Sequence, residues 1–174
     1  MSFDGYDLDG LNLGLLVLRL LLGLTLAAHG LAKVKGGLIG VGRWFQSEGL
    51  RPGIFHAGMA ASVETVGGLA LAAGLLTPLA ALAIVANMTT AGFVGHRHNG
   101  FFIIREGWEY TMVIGVGAAT VAATGPGQWS VDNALDLHPS GVGWFLFALV
   151  GGVIVAAGFL AVFFRPAREQ VQTG

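Results

Sequence analysis

Eight of the nine Lys and Arg residues in this chain fall on one side of a five-span threading of its apolar runs; the ninth, Arg19, falls inside the first run. Soluble domains do not segregate positive charge in this way, whereas membrane insertion does. The pattern predicts an all-α integral membrane protein. Charged residues make up 11% of the chain, against about 25% in an ordinary soluble protein. The 29 glycines suit lipid, where small residues let helix backbones approach closely. The absence of cysteine excludes disulfides, thiol redox chemistry and Cys-ligated metal centres within this subunit. A net charge of −1 without a basic block gives no footprint for nucleic acid.

The apolar runs place spans at about residues 11–32, 55–76, 78–95, 108–124 and 141–164, each near the ~20 residues that cross a hydrocarbon core. Residues 1–10 are acidic and lack the basic start of a signal peptide, so the first run is expected to remain as a span. Thr77-Pro78 marks a tight turn, with Thr77 as helix cap and Pro78 at the first helical position. The basic residues Lys33, Lys35, Arg43, Arg51, Arg97, Arg105, Arg165 and Arg168 share one side, and Asp4, Asp7, Asp9, Asp132 and Asp136 share the other. The positive-inside rule then puts the N-terminus outside and the 165–174 tail in the cytoplasm. Within the first loop, Leu38, Val41, Trp44 and Phe45 recur at helical spacing, which predicts an amphipathic interfacial segment over 37–50.

Two ionisable residues fall deep in the spans. Arg19 lies about 12 Å below the outer surface and Glu64 about 14 Å above the inner one, at ~1.5 Å per residue. An unpaired charge there costs at least ~2.5–3.5 kcal/mol, so an Arg19–Glu64 ion pair is expected. Glu64 shares a stripe with Ala60, Gly68 and Ala72 and should face the bundle. Two readings stand: a structural clasp, or a site that binds a polar head group or moves protons. His29 and Lys33 lie one turn apart; Lys33 reads as a snorkelling anchor and His29 as a satisfied interfacial histidine. His96, His98 and Glu109 have metal-donor chemistry, but an H-x-H pair alone does not specify a metal site, and no metal is assigned. Glu109 begins the fourth span, as a cap or as a ligand at an inner cavity mouth. Asn87, Thr89 and Thr90 read as interhelical hydrogen-bonding groups.

These residues resemble the DoxX family of small bacterial membrane proteins. The motifs are Leu18-Arg19-Leu20, His29-Gly30-Leu31-Ala32-Lys33, Glu64-Thr65-Val66-Gly67-Gly68 and Gly74-Leu75-Leu76-Thr77. They continue through His96, Asn99-Gly100-Phe101-Phe102, Glu109-Tyr110 and the Gly125-to-Asp132 segment. The resemblance spans residues 13–136 and implies a four-helix bundle core over 11–136. The span at 141–164 is an addition, and Ala148, Gly152 and Ala156 give it a small-residue face for docking or for lipid.

By similarity to a subunit of thiosulfate:quinone oxidoreductase, the resemblance implies a redox-associated membrane subunit with no self-sufficient catalytic motif. It would bind a quinone or a similar lipid-soluble head group among the first, second and fourth spans. The implied ligand-binding or proton-relay residues are Arg19, His29, Glu64, His96 and Glu109. The expected partners are the lipid bilayer and proteins of a membrane complex, with an oligomer open. The alternative is a non-catalytic scaffold that anchors and assembles partner oxidoreductases. A carrier ranks last, since the outer halves of the second to fourth spans offer little beyond threonines.

Overall fold

The structure, a computed structural model, describes residues 7–166; most of the predicted outer and cytoplasmic tails lies outside the described residues. Helix α1 covers Leu8–Gly36 and opens with the Asp7 carboxylate accepting from the Asp9 amide at 3.1 Å. Its 29 residues make a rod of about 43 Å, longer than the ~30 Å hydrocarbon core. Helix α2, Leu38–Ser47, is the segment expected at the interface. It packs on the start of the next helix, where a Cβ on Gly42 would sit 2.8 Å from Ile54 Cα, and leaves Ile39 and Trp44 exposed.

Helix α3, Gly53–Ala73, contains a π-helical turn over Val63–Gly67. Helix α4, Thr77–Asn99, contains another over Gly92–His96. Helix α5 covers Glu109–Thr124, a short helix α6 covers Val131–Ala134, and helix α7 covers Val142–Phe163. Helix α4 is the hub: it packs on α5, on α7 and on α3, while α1 packs on α3 and α5. Leu22, Leu26, Leu71, Ile84, Val85, Met88, Ile114 and Val121 form the buried apolar centre.

Helices α1, α3, α4 and α7 are long and apolar enough to cross a membrane. Helix α5 has 16 residues, short of the ~20 that span unaided, although it is packed in the bundle against α4 and α7. The small-residue face of α7 is occupied within the chain. Ala148, Gly152 and Ala156 are buried, and a Cβ on Gly152 would come 2.7 Å from Val85 Cβ. The opposite face, with Leu146, Val150, Ile154 and Val162, is exposed, as a lipid-facing surface should be. The end of α7 is tied to the α2–α3 loop: Arg51 N donates to Phe163 O at 3.3 Å and Arg165 N to Gly49 O at 2.7 Å.

Candidate functional site

The expected Arg19–Glu64 ion pair does not form, and the reason is helix register. Glycines set the contact between α1 and α3. A Cβ on Gly23 would lie 2.7 Å from Ala72 N, and one on Gly30 would lie 2.7 Å from Ala61 O and Thr65 N. That antiparallel register puts Arg19 level with Gly74 and Glu64 level with His29. The two charges are then offset by about ten residues, roughly 15 Å along the helices. Depth counted from the first apolar residue misplaces these charges, because α1 is longer than a hydrocarbon core and glycine contacts, not span starts, set its register against α3.

Arg19 instead organises the end of the bundle that carries the start of α1 and the 125–136 segment. Fully buried, it donates to Trp129 O at 2.6 Å and Ala72 O at 3.5 Å. Gly74 has φ +65 and ends α3 in the left-handed region, where a Cβ would collide with the Arg19 guanidinium. The returning 125–136 segment is held by the same residues and by Asn12, whose Oδ1 accepts from Gln128 N at 2.8 Å. Asp132, also fully buried, accepts from Leu76 N at 2.6 Å and Thr77 N at 2.9 Å. It therefore satisfies the free amides at the start of α4. Thr77 was expected to do so, yet its Oγ1 is buried without a hydrogen-bond partner.

Glu64 belongs to a different cluster. Its Oε2 pairs with Lys33 Nζ, and Asn87 Nδ2 donates to its Oε1 at 3.4 Å. The stripe Ala60, Gly68 and Ala72 is buried with it, so Glu64 faces inward as its spacing predicts. The π-turn Val63–Gly67 carries Glu64; such single-turn irregularities often sit at functional sites. This polar group lines one side of a cavity of about 650 Å³ enclosed by α1, α2, α3, α4, α5 and α7. His29, Lys33, Glu64, Asn87 and Tyr110 lie on its wall, and Trp44, Phe45, Met59, Leu82, Val94 and Phe159 supply apolar surface. The His29 and Tyr110 rings are 5.3 Å apart, and the Tyr110 hydroxyl is buried with no partner. His56, also on the wall, is wedged between Phe159 and Phe163 and contacts Arg51 O through Nε2 at 3.2 Å.

Of the predicted site residues, His29, Glu64 and His96 meet at this cavity. Arg19 is remote from it, and Glu109 accepts from Ile103 N at 2.9 Å in the α4–α5 connection. His96 lies on the second π-turn, with Nδ1 2.6 Å from Glu106 O, and His98 is exposed. Among the described residues no group of three or more His, Asp or Glu side chains converges as a metal site. Lys33 was read only as an interfacial anchor; its one-turn spacing from His29 was the available signal that both face the same space. The orphaned hydroxyl of Tyr110 and the two π-turns have no sequence signature of their own.

Comparison with known proteins agrees with this architecture. The DoxX family model matches residues 14–97, from α1 nearly to the end of α4, which includes Arg19, His29, Lys33, Glu64, Asn87 and His96. The resemblance seen at Glu109-Tyr110 and at 125–132 lies beyond that stretch. An uncharacterized membrane protein of Mycobacterium tuberculosis is 29% identical over 139 residues, covering 72% of this chain and 83% of the relative. No solved structure matches the chain. With its helical bundle, four candidate spans and the matched stretch over residues 14–97, this chain is an all-α membrane protein that is similar to the DoxX family.

Proposed function

We propose that this chain is a multi-pass protein of the bacterial cytoplasmic membrane, N-terminus outside, that holds a quinone-class ligand in its inner cavity as the membrane subunit of a redox complex. The observation that carries the reading is the cavity: about 650 Å³, within the ~300–1,000 Å³ of small-molecule sites, mostly apolar with a few convergent polar groups. The Tyr110 hydroxyl, buried and without a partner, is a donor awaiting an acceptor, and a quinone carbonyl suits it. Lys33 supplies a positive charge beside the same position. Glu64, bonded to Lys33 and Asn87, fixes the Lys33 ammonium at the cavity wall. A quinone supplies two-electron, two-proton redox chemistry when bound. Electrons reach it from a partner protein, since the chain has no cysteine for a cluster.

The test is saturable binding of a short-tailed quinone to the full chain in nanodiscs. Ala86 lines the cavity, so Ala86→Phe fills it and is expected to weaken binding at least about tenfold, as loss of a well-packed site should. Non-saturable uptake by the wild type, or unchanged affinity in Ala86→Phe, rejects the reading. If partner oxidoreductases still assemble on a chain that binds no quinone, the scaffold alternative takes its place.

A further inference from the structure

A second groove, of about 390 Å³, lies between α4, α5 and α7. It opens on the outside of the bundle, because Phe93, Met112 and Val116 on its wall are exposed. Its lining includes one charged residue, Arg97, and one tryptophan, Trp108. Both sit at the basic end of the bundle, the level of lipid head groups, where tryptophan is favoured. Arg97 Nη1 donates to Phe93 O, and its guanidinium lies 4.4 Å from the Phe93 ring centroid and 5.3 Å from that of Phe164. Arg165, next to Phe164, bonds only the Ala161 and Phe164 carbonyls through its Nη1. Among the described residues the ion pair present is Lys33–Glu64, and none of their carboxylates pairs with Arg97. A fixed, half-buried cation thus stands at the mouth of an apolar slot that faces lipid.

We propose that this groove is a binding site for one anionic glycerophospholipid, with an acyl chain between α4, α5 and α7 and its phosphodiester on Arg97. Charge complementarity selects the occupant: basic pockets between membrane helices on the inner side attract anionic head groups. The apolar slot distinguishes a lipid from free phosphate, which would leave Met112, Val116 and Leu149 uncovered. Gly115 keeps the slot open; a Cβ there would meet only Met88 Cβ, at 3.6 Å.

The groove shares Met88 and Thr111 with the inner cavity but has its own mouth at Arg97, and it is tested separately. The purified full chain is delipidated and offered equal amounts of phosphatidylglycerol and phosphatidylcholine with identical acyl chains, and bound lipid is counted by native mass spectrometry. One retained phosphatidylglycerol is expected, favoured about fivefold, as one cation beside an anionic head contributes. Arg97→Ala should abolish the preference, and Arg97→Lys should keep it, which preserves the test if the alanine variant does not fold. Gly115→Leu should lower retention of both lipids. Arg105→Ala, in the exposed loop, should change nothing. Equal retention of the two lipids by the wild type, a preference that survives Arg97→Ala, or an equal loss in Arg105→Ala overturns the proposal.

Discussion

Replacing Lys33 with methionine is expected to lower stability by about 2–4 kcal/mol, because it strands a carboxylate in a mostly apolar cavity. Glu64 has a side chain only 7% exposed, while that of Lys33 is 25% exposed. The loss should therefore fall somewhat below that for a wholly buried pair. Asn87 offers the carboxylate one long neutral hydrogen bond, 3.4 Å, which cannot replace the ammonium. Adding Glu64→Leu to Lys33→Met should recover most of the loss, since an apolar pair often replaces a buried ion pair without net cost. Equilibrium unfolding in mixed micelles checks this as a double-mutant cycle. A coupling above about 1 kcal/mol is expected for Lys33 with Glu64, and near-additivity, within ~0.5 kcal/mol, for Arg19 with Glu64. The reverse pattern would restore the pairing suggested by the sequence and reject the observed register.

Arg19→Met is expected to cost about 3–5 kcal/mol, because a fully buried, hydrogen-bonded charge is removed from the node that ties the 125–136 segment to the bundle. Two elements lose the side chain that ties them to α1: the end of α3 at Ala72 O and the returning segment at Trp129 O. Asp132 would keep its amide donors from Leu76 and Thr77 but lose the nearby positive charge of Arg19. The same unfolding measurement reads the stability. Quinone affinity, measured on the protein that remains folded, should change little, because the cavity lies toward the other end of the bundle. A large affinity loss in folded Arg19→Met protein would contradict the separation of an outer structural node from an inner binding site.

The spans and the inward direction of Glu64 were legible because both are periodic signals: apolar runs, and small residues four apart. Register was not, because it depends on where Gly23 and Gly30 allow backbone contact, and span starts carry no such information in a helix longer than the membrane. The role of Asp132 was hidden for a similar reason. It caps a helix that begins 55 residues earlier in the chain, so no local motif announces it. The inner site was half legible: His29, Glu64 and His96 were identified, but the chain had to fold before Lys33 could replace Arg19 as the partner and Tyr110 could join them.

In the proposed site a quinone head group sits beside Lys33, Glu64 and Tyr110. A quinone carrying a photoreactive group on its head, activated in nanodiscs and followed by peptide mapping, tests this most directly. Labelling is expected on the cavity-facing stretches of α1 near His29 and Lys33, of α3 near Glu64 and of α5 at Tyr110, suppressed by excess unlabelled quinone. Labelling confined to the lipid-facing side of α7, or spread over the helices and insensitive to competitor, would contradict it.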